Sequence, residues 1–274
     1  MIKKDNCRIE TTFNNLRDKN KPALITFITA GDPNISATKS ILEKLPKAGA
    51  DLIEIGIPFS DPMADGPIIQ RSYKRALKNK TDLDKVLSLV KIFRKKDTIT
   101  PIILMGYYNP FYQKGLKLFF EEAENAGVDG ILIVDLPPEN DNEIAENLKN
   151  TFIKFIRLAT PTTDHNRLKK ILKLTSGFLY FVSIKGITGS NLANLKKVKN
   201  IYKKLKERSK IPVVVGFGIN TPDKAKSVCN YADGVVIGSS IVSEIDKKID
   251  KKFHINNILK VVRNFSKSIK TSRK

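Results

Sequence analysis

Short apolar runs alternate with amphipathic segments along this chain, and the alternation repeats about eight times in its 274 residues. Most runs are four to seven residues long and rich in Ile, Val, Leu and Phe, as strands buried on both faces are. Strands that alternate with helices pair in parallel. The runs predicted to form strands are Ala23–Thr29, Asp51–Gly56, Pro101–Met105, Gly130–Val134, Phe152–Leu158, Phe178–Val182, Pro212–Gly216 and Gly234–Ile237.

Eight strand–helix units in about 250 residues fit a closed (β/α)8 TIM barrel, here one α/β domain over residues 1–274. An open doubly wound sheet is the alternative. Ile9, Phe13 and Leu16 share a helical face ahead of the first strand, which predicts an extra N-terminal helix covering one end of the sheet. The basic end of the chain, Ser266–Lys274, is expected to be a disordered tail.

Lysine and arginine outnumber the acidic residues by 49 to 28, which gives a formal net charge of +21. Such an excess favours polyanionic partners, nucleic acids above all. The lysines are spread over the whole chain without a nucleic-acid-binding motif, so solvated helix faces are the better interpretation. The positive field would still attract a small anionic substrate.

The two cysteines, Cys7 and Cys229, lie far apart, and the two histidines, His165 and His254, are isolated. This spacing favours free thiols in a reducing compartment and gives no metal site. The N-terminus lacks an apolar signal core, and no apolar run reaches the roughly 18 residues of a membrane span. The expected location is the cytoplasm.

Glu54 is a lone carboxylate inside an apolar run, and Asp61 and Asp65 follow it in a Gly- and Pro-containing loop, within EIGIPFSDPMADGPIIQ (54–70). Burial among apolar groups raises a carboxyl pKa toward neutrality, which suits a general acid/base. If the face that carries Glu54 lines the barrel, this carboxylate lies at the mouth, where barrels of this kind place their chemistry. A structural ion pair with a lysine is the alternative.

Four other polar residues have both a functional and a structural interpretation. Asp65, in ADGP, and Asp61 could be turn or helix N-cap residues. Asp135, after the fourth strand, is a weaker candidate for a functional role. Tyr180, in FLYFV, is either a site residue or a core tyrosine with a satisfied hydroxyl.

Glycine-rich loops follow the last three strands, at Gly186–Gly189, Gly216–Gly218 and Gly238–Ser240. Glycine lets backbone N–H groups approach a phosphate closely, and a helix start after Gly238 adds its positive dipole end. A phosphate site built from the last loops recurs in these barrels. The three loops together predict a phosphorylated ligand.

The 54–70 stretch resembles the signature of the tryptophan synthase alpha subunit, which usually begins with Glu-Leu-Gly. Further segments resemble that family in the same order, so the resemblance covers about residues 8 to 266. They are FITAGDP (27–33), MGYYNP (105–110), DLPPE (135–139), ATPTT (159–163), GITG (186–189), GFGI (216–219) and IGSSIV (237–242).

The resemblance implies a lyase that cleaves indole-3-glycerol phosphate, in a retro-aldol sense, to indole and glyceraldehyde 3-phosphate. Glu54 matches the family's catalytic glutamate, the main proton carrier. Asp65 matches the aspartate that accepts the indole N–H and stabilises positive charge on the ring. Tyr180 matches a tyrosine near the reacting centre.

The same resemblance implies a substrate pocket and two mobile loops, 59–67 and 183–193. Within the second loop, Thr188 would steady Asp65, and many members carry Arg where this chain has Ile184. The residues expected to line the pocket are Phe27, Leu104, Thr188 and Phe217. Those expected to hold the phosphate are Gly189, Gly218, Gly238 and Ser239.

The family works with a beta subunit in an alpha2beta2 heterotetramer, and the beta subunit joins indole to serine with pyridoxal phosphate to make L-tryptophan. This chain shows no cofactor site of its own. The residues expected at the interface are Asp61, Pro62, Tyr107, Asn109 and Pro110. A stand-alone indole-releasing lyase and a basic, nucleic-acid-binding barrel scaffold are the alternatives.

Overall fold

The computed structural model describes residues 7–183, 192–216, 218–247 and 254–273. Eight parallel strands close into a barrel in chain order, and the last strand pairs with the first. This confirms the TIM barrel and excludes the open sheet. The strands are β1 Ala23–Thr29, β2 Leu52–Gly56, β3 Ile102–Gly106, β4 Gly130–Ile133, β5 Lys154–Ala159, β6 Leu179–Val182, β7 Val213–Gly216 and β8 Gly234–Ile237.

Helices surround the barrel, and several begin at a side-chain cap. Asn34, Asp82, Asp164 and Thr221 each accept a hydrogen bond from the backbone N–H three residues further on. Of the helices described, none is both long and apolar enough to span a membrane. The helices are α1 Arg8–Asp18, α2 Ile35–Leu42, α3 Leu45–Ala48, α4 Pro67–Lys78, α5 Leu83–Arg94, α6 Tyr108–Lys114, α7 Leu116–Ala126, α8 Asn142–Lys149, α9 His165–Leu174, α10 Leu192–Arg208, α11 Pro222–Cys229, α12 Ser239–Asp246 and α13 Ile255–Lys270, with a 3-10 turn at Pro138–Asn140.

The core has two layers because alternate strand residues point to opposite faces. The outer layer lies between strands and helices, and the inner layer fills the barrel. Residues of the inner layer include Ile25, Leu52, Ile103, Leu132, Ile156, Val214 and Val236.

Helix α1 closes the amino-terminal end of the barrel. Ile9 and Phe13 belong to the inner layer, and the Phe13 and Phe178 ring centroids lie 5.7 Å apart. Arg8 fastens the helix from outside, since its guanidinium lies 2.7 Å from the carboxylate of Asp129. The predicted N-terminal helix and its covering position are both confirmed.

Residues 266–273 are packed into the fold, so the prediction of a disordered tail from Ser266 is wrong. Helix α13 continues to Lys270, and Phe265, Ser266 and Ile269 are buried. The Arg273 guanidinium then donates to the backbone oxygen of Cys229 at 2.9 Å. Apolar residues at helical spacing anchor one face of this lysine-rich segment, while its charges remain in solvent.

Candidate active site

Glu54 lies in the middle of β2, inside the barrel and completely buried. Its strand neighbours in register are Phe27 on β1 and Ile103 on β3. Neither carboxylate oxygen has a hydrogen-bond partner among the residues described. Burial in this apolar setting raises the pKa of Glu54 from 4.5 to about 8. Glu54 is therefore protonated at neutral pH and close to the point where it gives up its proton.

Asp65 lies in the loop after β2 and is 5% exposed. The Tyr107 hydroxyl donates a hydrogen bond to its carboxylate at 2.7 Å, and the Ala64 N–H donates to the Tyr107 hydroxyl at 3.0 Å. The side-chain amide of Gln70, on α4, donates to the Asp65 backbone oxygen at 2.9 Å. Burial raises the pKa of Asp65, and the hydrogen bond from Tyr107 opposes that rise.

An aromatic stack supports the same loop. The rings of Phe59 and Tyr107 lie nearly parallel, with centroids 5.0 Å apart. The loop after β2 thus rests on the loop after β3, and the carboxylate of Asp65 is held over the barrel mouth.

Two further tyrosines bring their hydroxyls to the same space. The Tyr180 hydroxyl, from β6, packs on Gly216, where an added Cβ would lie 2.1 Å from it. Burial, followed by the charges of Glu54 and Asp65, raises the pKa of Tyr180 well above its usual value. The pKa of Tyr73, on α4, is likewise raised by burial, followed by the charges of Asp65, Tyr107 and Glu54. The mouth therefore gathers two carboxyl groups and a set of neutral phenols.

Phe27 connects this centre to the predicted phosphate end. An added Cβ on Gly56 would lie 2.5 Å from the Phe27 ring, and one on Gly238 would lie 3.2 Å from the Phe27 Cβ. Gly238 is the N-cap of α12, and Ser239 opens that helix in an exposed position. The positive end of the α12 dipole follows β8, and only β1 separates β8 from the strand of Glu54, a suitable arrangement for a bound phosphate.

An ion-pair network holds α4 and α12 together behind the site. The Arg75 guanidinium donates to both carboxylate oxygens of Asp32, at 2.7 and 2.9 Å, and to Asp246 at 2.6 Å. Arg71 reaches the same Asp246 at 2.5 Å. Asp32, after β1, is 1% exposed, so the network joins three elements that carry the site.

The comparisons with known proteins agree with this geometry. The family described as tryptophan synthase alpha chain matches residues 13–270. The chain belongs to the tryptophan synthase alpha chain family. The resemblance inferred from the sequence is thereby confirmed.

Solved structures of similar chains cover almost the whole molecule. Tryptophan synthase subunit alpha from Legionella pneumophila is 40% identical, with a TM-score of 0.90 over 96% of this chain and 98% of that one. A structure from Aquifex aeolicus is 33% identical, with a TM-score of 0.87 over 98% and 100%. Tryptophan synthase from Mycobacterium tuberculosis, in an open form with BRD0059 bound, is 25% identical, with a TM-score of 0.85 over 97% and 99%.

One predicted pocket residue is placed elsewhere in the barrel. Leu104 points away from the barrel interior and packs in the outer layer, while its neighbours Ile103 and Met105 point inward. The prediction of Leu104 as a pocket residue is wrong. Met105, 6% exposed, takes the inward position near the mouth.

Other predicted site residues of the family signature are found at the carboxyl end of the barrel. Gly218 is exposed and adopts a left-handed backbone with φ of 75°, which glycine tolerates. Asp135 is exposed, and its carboxylate accepts a hydrogen bond from the Tyr108 N–H at 2.7 Å. It therefore caps the N-terminus of α6. Thr188, Gly189 and Phe217 lie outside the described residues.

The predicted interface residues fall into two groups. Asp61 and Asn109 are exposed, and Pro62 and Pro110 are half-buried, all on the loops after β2 and β3 or at the start of α6. Tyr107 differs, because it is 1% exposed and its hydroxyl binds Asp65. Its observed contacts place it in the site. The sequence gives no signal that Tyr107 contacts Asp65, because only the folding of the two loops brings these residues together.

Proposed function

We propose that this chain is the alpha subunit of tryptophan synthase and cleaves indole-3-glycerol phosphate, in a retro-aldol sense, to indole and glyceraldehyde 3-phosphate. The observation that carries the proposal is Glu54, a fully buried carboxyl group with a pKa of about 8 inside the barrel. A group with such a pKa gives and takes a proton readily near neutral pH.

Glu54 serves two proton transfers in the proposed reaction. It first donates its proton to C3 of the indole ring, which makes that carbon a leaving group. The resulting carboxylate then takes the proton of the glyceryl hydroxyl, whose oxygen becomes the aldehyde oxygen as the C–C bond breaks. The bonding electrons return to the ring and neutralise its charge, so Glu54 ends the cycle protonated.

Asp65 stabilises the charged ring between these transfers. Its carboxylate accepts the indole N–H and faces the positive charge that protonation of C3 creates. The Tyr107 hydrogen bond favours the ionised form that this role needs. Tyr180, which is close enough to feel the charges of both carboxyl groups, is proposed as the third residue beside the reacting atoms.

The phosphate of the substrate is proposed to bind at the other side of Phe27. Gly238 and Ser239 supply the start of α12, and the family resemblance adds Gly189 and Gly218. The indole ring then lies against Phe27, with Thr188 and Phe217 as further wall residues by the same resemblance.

A beta subunit is the proposed partner, docked over the loops at the carboxyl end in an alpha2beta2 heterotetramer. Asp61, Pro62, Asn109 and Pro110 lie on that rim, and Met63 between them is 80% exposed. In this arrangement the beta subunit holds the pyridoxal phosphate and receives the indole for L-tryptophan synthesis.

The deciding experiment measures indole and glyceraldehyde 3-phosphate released from indole-3-glycerol phosphate, with and without a tryptophan synthase beta subunit. We expect slow release by the chain alone and strong acceleration by the beta subunit. Release that the beta subunit does not raise would favour a stand-alone lyase. A folded protein that releases no product in either condition would refute the proposed reaction.

A further inference from the structure

Two buried polar groups in the barrel mouth lack hydrogen-bond partners among the residues described. They are the Glu54 carboxyl group, which is fully buried, and the Tyr73 hydroxyl, whose residue is 1% exposed. Leaving a buried polar group unpaired costs stability, so each instance calls for a physical reason. Two such groups in one apolar layer indicate a partnership that forms at another stage of the reaction.

The Tyr73 hydroxyl lies beside Gly56, which is on the mouth side of Glu54. An added Cβ on Gly56 would lie 3.1 Å from this hydroxyl. Gly56 follows Glu54 by two residues on the same face of β2, about 7 Å further toward the mouth. A glutamate side chain has three rotatable bonds and can turn along that line to meet the hydroxyl.

We propose that Tyr73 is a positioning residue for Glu54, and that its hydroxyl donates a hydrogen bond to the carboxylate that Glu54 becomes after giving up its proton. This inference rests on the proposed function. The Tyr73 proton stays on its own oxygen throughout, while the Glu54 proton goes to indole C3 and is replaced from the glyceryl hydroxyl. In the resting state Glu54 is neutral, and a neutral carboxyl group accepts a weaker hydrogen bond from Tyr73 than the carboxylate does.

The groups around this pair keep Tyr73 a donor at every working pH. Burial, followed by the charges of Asp65, Tyr107 and Glu54, raises the pKa of Tyr73 well above 10. Tyr180 faces the same carboxyl groups and also stays neutral. Tyr73 therefore supplies a hydrogen bond without competing for the proton that Glu54 carries.

The test compares Tyr73→Phe with Tyr231→Phe. Each variant removes a hydroxyl that has no partner among the described residues, but Tyr231 packs on the outer layer, away from the site. The carboxyl stretch of protonated Glu54 is followed by infrared difference spectroscopy as pH rises, and is assigned by its loss in Glu54→Gln. The pH profile of indole release is measured beside it.

Without the Tyr73 hydroxyl, the Glu54 carboxylate loses a donor. We expect Tyr73→Phe to raise the infrared midpoint of Glu54 by roughly one pH unit and to lower kcat about tenfold. We expect Tyr231→Phe to match the wild type in both, and unfolding by urea to show both variants as stable as the wild type.

A Glu54 midpoint that Tyr73→Phe leaves unchanged overturns the inference, whatever happens to the rate. Failure of the proposed function is recognised separately, because it appears as absence of indole release by the wild type with a beta subunit present. The infrared comparison needs no turnover and decides the role of Tyr73 in that case too.

Discussion

The hydroxyl of Tyr107 lies 2.7 Å from a carboxylate oxygen of Asp65 and donates a hydrogen bond to it. The two residues belong to different loops, and the bond joins the loop after β2 to the strand end of β3. It gives Asp65 a fixed direction and partly offsets the cost of burying its charge.

Tyr107→Phe removes that donor and also the acceptor of the Ala64 N–H. Because a hydrogen bond to a charged group contributes about 1.5–3 kcal/mol, we expect kcat for indole release to fall by roughly tenfold or more. The acidic limb of the pH profile of kcat, which reports protonation of Asp65, should move to higher pH. The reason is that the ionised form of Asp65 loses a stabilising hydrogen bond. Tyr112→Phe, at a 58% exposed position on α6, is the control and should leave the profile unchanged.

Glu54→Gln should abolish indole release while the protein remains folded. It should also change how stability depends on pH. The pKa of Glu54 is about 8 in the folded protein and near 4.5 when unfolded, so between these values the unfolded state has released a proton that the folded state keeps. The free energy of unfolding of the wild type therefore falls by about 1.4 kcal/mol for each pH unit as pH rises through this window. Above the window it changes no further on account of Glu54.

Urea unfolding of both proteins at a series of pH values tests this point. The difference in unfolding free energy should shift in favour of Glu54→Gln from about pH 5 to pH 8 and then stay constant. Parallel curves for the two proteins would contradict a raised pKa of Glu54, and wild-type turnover by the variant would contradict its catalytic role.

Asp32→Asn breaks the buried pair with Arg75. The carboxylate is 1% exposed, and its loss leaves the Arg75 guanidinium without one of its two charged partners. We expect a loss of about 3 kcal/mol in the free energy of unfolding. Glu43→Gln removes a partner of Lys96, which is 61% exposed, and should cost less than about 1 kcal/mol. Equal costs for the two variants would show that the network behind the site contributes little.

Gly216→Ala introduces a Cβ that would lie 2.1 Å from the Tyr180 hydroxyl. Tyr180 must shift, so we expect a cost of about 1–3 kcal/mol in stability and a rise in KM for indole-3-glycerol phosphate. Gly66→Ala meets no atom within 4 Å and serves as the stability control, with an expected cost below about 1 kcal/mol. Unchanged KM and stability in Gly216→Ala would show that Tyr180 has room to move.

The alternation of apolar and amphipathic segments was enough to predict the barrel, because each strand is buried on both faces and each helix on one. Strand ends were less accurate. Phe152 was placed in the fifth strand, yet β5 begins at Lys154 and Phe152 is 49% exposed. A large apolar residue in a loop cannot be distinguished by pattern from one in a strand.

The direction in which a strand side chain points, into the barrel or toward the helices, was predictable only where a polar residue interrupts the apolar run. Glu54 interrupts an apolar strand, so its inward face had a sequence signal. The run at Leu104 is apolar at every position, and nothing in it distinguishes the inward residues from the outward ones. Tyr73 and Tyr107 had no signal either, because their approach to the carboxyl groups depends on how α4 and the loops fold back over the mouth.

Helix α1 closes the amino-terminal end of the barrel, because Phe13 packs against Phe178 there. A molecule held beside Glu54 then enters and leaves through the rim that also carries Asp61, Met63 and Asn109. Any protein docked on that rim covers the entrance to the site. Binding of a partner and the exchange of substrate and product therefore take place at the same end of the barrel.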